Sequence, residues 1–199
     1  LSIILHPLFM PTYGMILYMM VMQNRLSNLP SLYIWLSIIG TSILTAIIPI
    51  SLIFILLKKG QIDSLHIENS KQRTTPYIYT LICFCFWCYF LRVTMHLPHI
   101  WLFIAIGATI ALAIVMLINH WWKISAHLTG MGGLLGGICS MALFYTMLPS
   151  ALIISVLIIS LLLMYARLYT NAHTPMQVVS GYLLGILCTF IPNLIIYYA

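Results

Sequence analysis

Seven apolar runs separated by short polar breaks constrain this chain more than any motif in it. They lie at residues 3–22, 32–57, 76–95, 100–118, 128–148, 151–165 and 178–198. A membrane-spanning helix needs ~20 predominantly apolar residues, so the runs predict an all-α, polytopic transmembrane helix bundle of about six to seven helices. The polar breaks are too short to hold a second unit, and residues 1–199 read as one integral membrane domain. A soluble fold fails on charge: 5% of the residues are charged, where soluble domains carry about a quarter. The first run is interrupted by His6-Pro7 and by Pro11-Thr12-Tyr13-Gly14, which predicts a broken or interfacial helix. No internal repeat or low-complexity tract is visible.

The few charges exclude several functions. Eight Lys and Arg stand against two acids, Asp63 and Glu68, both in the polar segment between the second and third runs. Mg²⁺ and Ca²⁺ sites need clustered carboxylates, and the apolar runs contain none. A metal-dependent phosphatase, a carboxylate proton relay and a two-carboxylate glycosidase are therefore disfavoured, and no metal or cofactor is expected. The basic excess suits anionic headgroups or a phosphate; nothing points to nucleic acid. Cys83, Cys85 and Cys88 resemble a ligand cluster on paper, but in a helix Cys83 and Cys85 point to different faces. They read as small apolar filler, as do Cys139 and Cys188. Gly130, Gly132, Gly133, Gly136 and Gly137 crowd the fifth run, and Gly181 and Gly185 recur in the seventh. Close helix–helix packing is the expected use; close backbone approach to a ligand is the alternative.

Polar residues gather in three places. Arg73 precedes the third run, Ser125-Ala126-His127 opens the fifth, and Arg167 and His173 lie between the sixth and the seventh. Two runs separate each cluster from the next, and an even number of crossings returns the chain to the same side. All three are therefore expected at one interface. Each also lies near a predicted helix start: Thr75-Pro76, Ser125 and Thr174-Pro175. At the last, Thr174 is the predicted cap, Pro175 takes the first turn, and Gln177 stands where a capping box needs it. Helix N-termini, two arginines and two histidines on one face suit a phosphate.

These residues resemble the type 2 phosphatidic acid phosphatase superfamily, which includes the lipid phosphate phosphatases. Its pattern is Lys-(six)-Arg-Pro, then Pro-Ser-Gly-His, then Ser-Arg-(five)-His-(three)-Asp. The third part reads here as Ala166-Arg167, five residues, His173, three residues, Gln177. The second reads Ile124-Ser125-Ala126-His127, and the first reads His66, six residues, Arg73, with proline delayed to Pro76. The resemblance covers about residues 58–185. It implies that His173 is a nucleophile forming a phosphohistidine and that His127 is the general acid. Arg73, Arg167, Ser125 and the backbone at Ala126 would hold the phosphate. Three departures stand out. Gln177 replaces the aspartate that orients the nucleophile, His66 replaces a lysine for which Lys71 is a possible substitute, and Ala126 replaces a glycine.

Two functions are expected on these grounds. One is a metal-independent phosphohydrolase of a lipid phosphate or diphosphate, of phosphatidic acid or polyprenyl type, in a bacterial inner membrane. The other is a non-catalytic member that binds phospholipid headgroups or serves as an accessory or transport subunit. The two histidines favour the first; the missing aspartate favours the second. Membrane lipids and a phosphorylated lipid are the expected partners, and oligomeric state and the side of the active face are left open. A channel ranks below both, because Arg92, the nearest charge to a mid-helix position, falls near the end of its run.

Overall fold

The computed structural model describes residues 3–25, 29–62, 70–144 and 150–198, side chains at 24, 25, 70 and 71 excepted. Among the described residues eight α-helices follow one another: α1 (Met10–Arg25), α2 (Ser31–Ser42), α3 (Ile48–Lys58), α4 (Ser70–Tyr89), α5 (His99–Ile118), α6 (Ala126–Phe144), α7 (Ser150–Tyr169) and α8 (Pro175–Tyr198). No strand occurs among the described residues. A π-helical turn at Ile43–Ile47 joins α2 and α3 into one span, and a second, at Phe90–Thr94, extends α4. Six helices among the described residues are long and apolar enough to cross a membrane: Ser31–Lys58, Gln72–Thr94, His99–Ile118, Ala126–Phe144, Ser150–Tyr169 and Pro175–Tyr198. The protein is an integral membrane protein, an all-α bundle that turns a large apolar surface outward. The α7 side chains Ile154, Leu157, Ile158, Leu161 and Leu162 belong to that outer surface.

The first run does not lie along an interface. His6 caps a 3-10 turn at Pro7–Phe9 that runs directly into α1. Helix α1 packs between α2 and α6, with Met15, Tyr18 and Met19 fully buried. Its early residues reach the start of α6, where the His6 ring meets His127, and Tyr18 stacks on Trp101 near the opposite end of the bundle. Sixteen residues rise about 24 Å, so α1 lies along the bundle interior.

A second correction concerns α4. The Thr75-Pro76 pair is not a helix start: α4 begins at Ser70, and Pro76 is buried within it. Proline has a helical φ and costs the helix one hydrogen bond, which this long span tolerates. Arg73 consequently lies in the first turn of α4 rather than in the preceding loop. In the same way α7 continues to Tyr169, beyond the predicted end, and carries Arg167 in its last turn.

Helix α6 is central. More than half of the α6 span is buried, whereas most of the α7 span is not. Its partner is α8, and glycine sets their distance. A Cβ on Gly132 would strike the Tyr182 carbonyl oxygen, and one on Gly185 would strike that of Thr129. With the backbones this close, side-chain hydroxyls bond across the seam. Ser140 donates to the Thr189 carbonyl at 3.1 Å, and Thr189 donates to the Gly133 carbonyl at 3.1 Å. Lipid offers no hydrophobic drive for helix association, so van der Waals contact and such bonds must supply it. Gly107 of α5 meets the α8 backbone at Cys188 in the same way. Cys83 is buried and Cys85 exposed, on different faces of α4.

Candidate functional site

The starts of α4, α6 and α8 and the ends of α5 and α7 meet, with two loops, at one end of the bundle. Helix α7 stops in a left-handed cap: Asn171 has φ 52°, the Ala172 N–H bonds the Arg167 carbonyl at 3.2 Å, and the Asn171 N–H bonds the Leu168 carbonyl at 3.0 Å. This closing pattern is open to asparagine, which tolerates positive φ. It turns the chain back at once, so that His173 lies just before α8. The α8 start is a reciprocal capping box. The Thr174 N–H donates to Gln177 Oε1 at 3.1 Å, and the Gln177 N–H donates to Thr174 Oγ1 at 3.4 Å.

The loop between α5 and α6 is tied to this turn. The Ser125 N–H bonds the Gln177 carbonyl at 3.2 Å, and His173 Nδ1 lies 3.1 Å from the Lys123 carbonyl oxygen. Gln177 Oε1 is 3.3 Å from the same nitrogen. A carbonyl oxygen can only accept, so Nδ1 carries the proton and Nε2 keeps its lone pair. Burial, with the Arg167 guanidinium next in weight, pulls the His173 imidazole from its ordinary value down to about 4, against the opposing hydrogen bonds to Lys123 and Gln177. At neutral pH the ring is uncharged, with Nε2 bare.

Above this end opens a cavity of about 980 Å³. Arg73, Lys123, Ala126, His127, Arg167 and His173 line it, together with His6. Their segments are far apart in sequence, and no acidic side chain lines the cavity among the described residues. Arg73 Nη1 donates to Asn119 Oδ1 at 3.0 Å, and Asn119 is itself buried at the C-terminus of α5. That bond fixes the direction of the guanidinium. Arg167 Nε is buried without a hydrogen-bond partner, and a buried donor left unpaired costs ~1–3 kcal/mol.

The cavity changes character with depth. One face of α4 (Tyr77, Thr80, Phe84, Trp87), one of α5 (Val115, Ala111, Ala108, Ile104, Trp101) and one of α6 (Gly130, Gly133, Gly137, Met141) line its walls. Along α6 the lining runs from Ala126 to Met141, a rise of about 22 Å, most of the ~30 Å hydrocarbon thickness of a bilayer. Charged and imidazole groups stand at one end and apolar side chains along the rest.

Other predicted site residues are placed differently. Ser125 immediately precedes α6, and its carbonyl accepts the Thr129 N–H at 3.0 Å, but its fully buried hydroxyl makes no capping bond and it is not part of the cavity lining. Gln177 borders a separate shallow depression with Leu168 and residues 171–175, and reaches the cavity only through His173. His66 and the Lys71 side chain lie outside the described residues, as do Asp63 and Glu68. Among the described residues no three His, Cys, Asp or Glu side chains gather to hold a metal ion. Three participants went unseen in the sequence: His6, Asn119 and the Lys123 carbonyl. His6 has no fixed spacing to the other clusters, and a backbone carbonyl carries no sequence signal; only the placement of a polar His-Pro pair in an apolar run marked His6 at all. Comparison of the chain with family models, characterised proteins and solved structures finds no match.

Proposed function

We propose that the protein is a divergent member of the type 2 phosphatidic acid phosphatase superfamily, a metal-independent phosphohydrolase of a lipid phosphate or diphosphate in a bacterial cytoplasmic membrane. One observation carries the reading: a neutral His173 with Nδ1 held by carbonyl oxygens lines the same cavity as His127, Arg73 and Arg167. The long apolar extension of that cavity supports a substrate with a hydrocarbon chain.

In this mechanism Arg73 and Arg167 neutralise the phosphoryl oxygens. His173 Nε2 attacks phosphorus, the bond to the lipid oxygen breaks, and His127 gives that oxygen its proton. Water then attacks the phosphohistidine and passes a proton to His127, and the P–N bond breaks with its electron pair returning to Nε2. The Lys123 and Gln177 carbonyls hold the ring throughout but bring no negative charge to the imidazolium stage. That missing charge favours a second reading, a binder of phospholipid headgroups.

Phosphate release from phosphatidic acid and polyprenyl diphosphate in detergent with EDTA tests the assignment. Wild-type release that vanadate inhibits and that His173→Ala and His127→Ala abolish is expected. Release that EDTA stops and Mg²⁺ restores, or that survives His173→Ala, would overturn it. Headgroup binding without release would select the second reading.

A further inference from the structure

The His6 imidazole has no counterpart in the three-part pattern, yet it stands at the cavity mouth against His127. The two ring centroids are 5.3 Å apart at an interplanar angle of 79°, an edge-to-face contact. Both side chains line the cavity and both are half-buried. His6 also has a local bond: Nδ1 accepts the Leu8 N–H at 3.4 Å and so caps the 3-10 turn at Pro7–Phe9.

We infer that His6 is the positioning residue of the general acid: it holds the His127 ring at the cavity mouth. The inference rests on the phosphohydrolase reading and assigns a part of that site which lies about 120 residues away in sequence. Two imidazoles in contact cannot both be charged without strong repulsion. One charge is accommodated, because the positive edge of one ring suits the electron-rich face of the other. The Leu8 N–H donates to Nδ1 of His6 and so fixes that ring in its place against His127. Other charged or titratable groups lining the cavity are Arg73 and Tyr77 from α4, Lys123 from the α5–α6 loop, Arg167 from α7 and His173 before α8. None is a carboxylate that could do this instead.

The bland alternative is that His6 only caps its turn. His6→Asn separates the two, because asparagine is among the best N-caps and keeps the turn while removing the ring. Two esters supply the readout. An alkyl phosphate has a poor leaving group and needs the proton; p-nitrophenyl phosphate has a good one and needs it far less. Turnover with EDTA is measured for wild type, His6→Asn, His127→Asn and the double variant.

His6→Asn is expected to lower alkyl ester turnover about tenfold more than aryl ester turnover, a fraction of the ~10²–10⁴-fold that general acid catalysis supplies. The double variant is no slower than His127→Asn alone, since residues acting through one another are not additive. Equal loss on both esters, no loss on either, or effects that multiply in the double variant would overturn the inference and leave the phosphohydrolase reading standing. A wild-type protein that hydrolyses neither ester would overturn both.

Discussion

Two faces of α6, one residue apart in sequence, use glycine for opposite purposes. Gly132 and Gly136 press on α8: added Cβ atoms would meet the Tyr182 carbonyl, Thr189 Oγ1 and the Ile186 carbonyl. Gly133 and Gly137 line the cavity; a Cβ on Gly133 would find only the Thr189 methyl at 3.6 Å. The first pair makes a dry, rigid seam. At Gly133 the second face leaves the chamber wall without a side chain, whereas Gly137 packs on Ile104, whose methyl an added Cβ would meet at 3.1 Å. A Gly-rich helix is thus both a packing surface and the boundary of a void, and the hydrogen bonds across the seam hold the α8 start, with His173 before it, at a fixed height beside the mouth.

The sharpest test of this contrast is the same substitution on each face. Gly132→Ala or Gly185→Ala drives a methyl into a backbone carbonyl that cannot turn aside, so the destabilisation should reach or exceed the ~1–3 kcal/mol usual for overpacking. Thermal melts and gel filtration in detergent should show little folded monomer. Gly133→Ala should instead stay within about 1 kcal/mol of wild type, helped by the better helix propensity of alanine. Equal melting temperatures for Gly132→Ala and Gly133→Ala would erase the distinction between the faces.

Filling the chamber comes next in size. Gly133→Leu places a branched side chain in the apolar passage, its Cβ meeting α8 only at the Thr189 methyl at an ordinary contact distance of 3.6 Å. Hydrolysis of long-chain lipid phosphates should fall about 10–100-fold relative to a short alkyl phosphate, the discrimination that a few methylenes supply in an apolar pocket. Uniform loss across chain lengths would show that the chain lies elsewhere.

At the mouth, Gln177→Glu keeps the reach to the Thr174 N–H and adds a negative charge beside His173 Nδ1. A charge-assisted bond to the developing imidazolium is worth about 1–3 kcal/mol, so turnover should rise roughly tenfold or more. Unchanged turnover in a folded variant would assign Gln177 to the capping box alone.

The smallest effect concerns pH. The His173 imidazole is held at about 4 by burial first and the Arg167 charge second. Removing a positive neighbour favours the charged ring, so Arg167→Gln raises the His173 pKa; burial remains, and the value stays below that of free histidine. Since protonated Nε2 cannot attack, the acid limb of kcat/KM for an aryl phosphate should move to higher pH. A limb that stays in place or moves to lower pH would remove Arg167 from the electrostatics of His173. The same depressed pKa makes the folded state bind fewer protons than the unfolded one between about 4 and the ordinary value of 6.5. Stability should therefore fall as pH drops through that window and be unaffected by this group above it.

Much of the bundle was legible because hydropathy acts over the length of a helix. Runs of ~20 apolar residues and short polar breaks suffice for the spans, and the glycines of the fifth and seventh runs marked close helix packing, without saying which helices would meet. The capping box at Thr174 and Gln177 was equally legible, since it is made by residues three apart. Local signals failed where they were ambiguous. Thr75-Pro76 has the form of a helix start but lies inside α4, because proline's φ is compatible with both. The broken head of the first run looked interfacial, yet α1 is buried between α2 and α6, where α6 lacks side chains over Gly130.

The sequence by itself determined that this is a membrane helix bundle short of carboxylates, with its arginines and several of its histidines near helix ends, because burial of charge and backbone satisfaction in lipid leave few other solutions. Only the tertiary structure decided which groups meet. The bond from His173 to the Lys123 carbonyl, the grip of Asn119 on Arg73, the contact of His6 with His127 and the apolar depth behind them all depend on how far α6 sinks toward α8 and how α1 fills the space beside it. Those distances come from side-chain volume and backbone approach between segments far apart in the chain, and no local pattern encodes them.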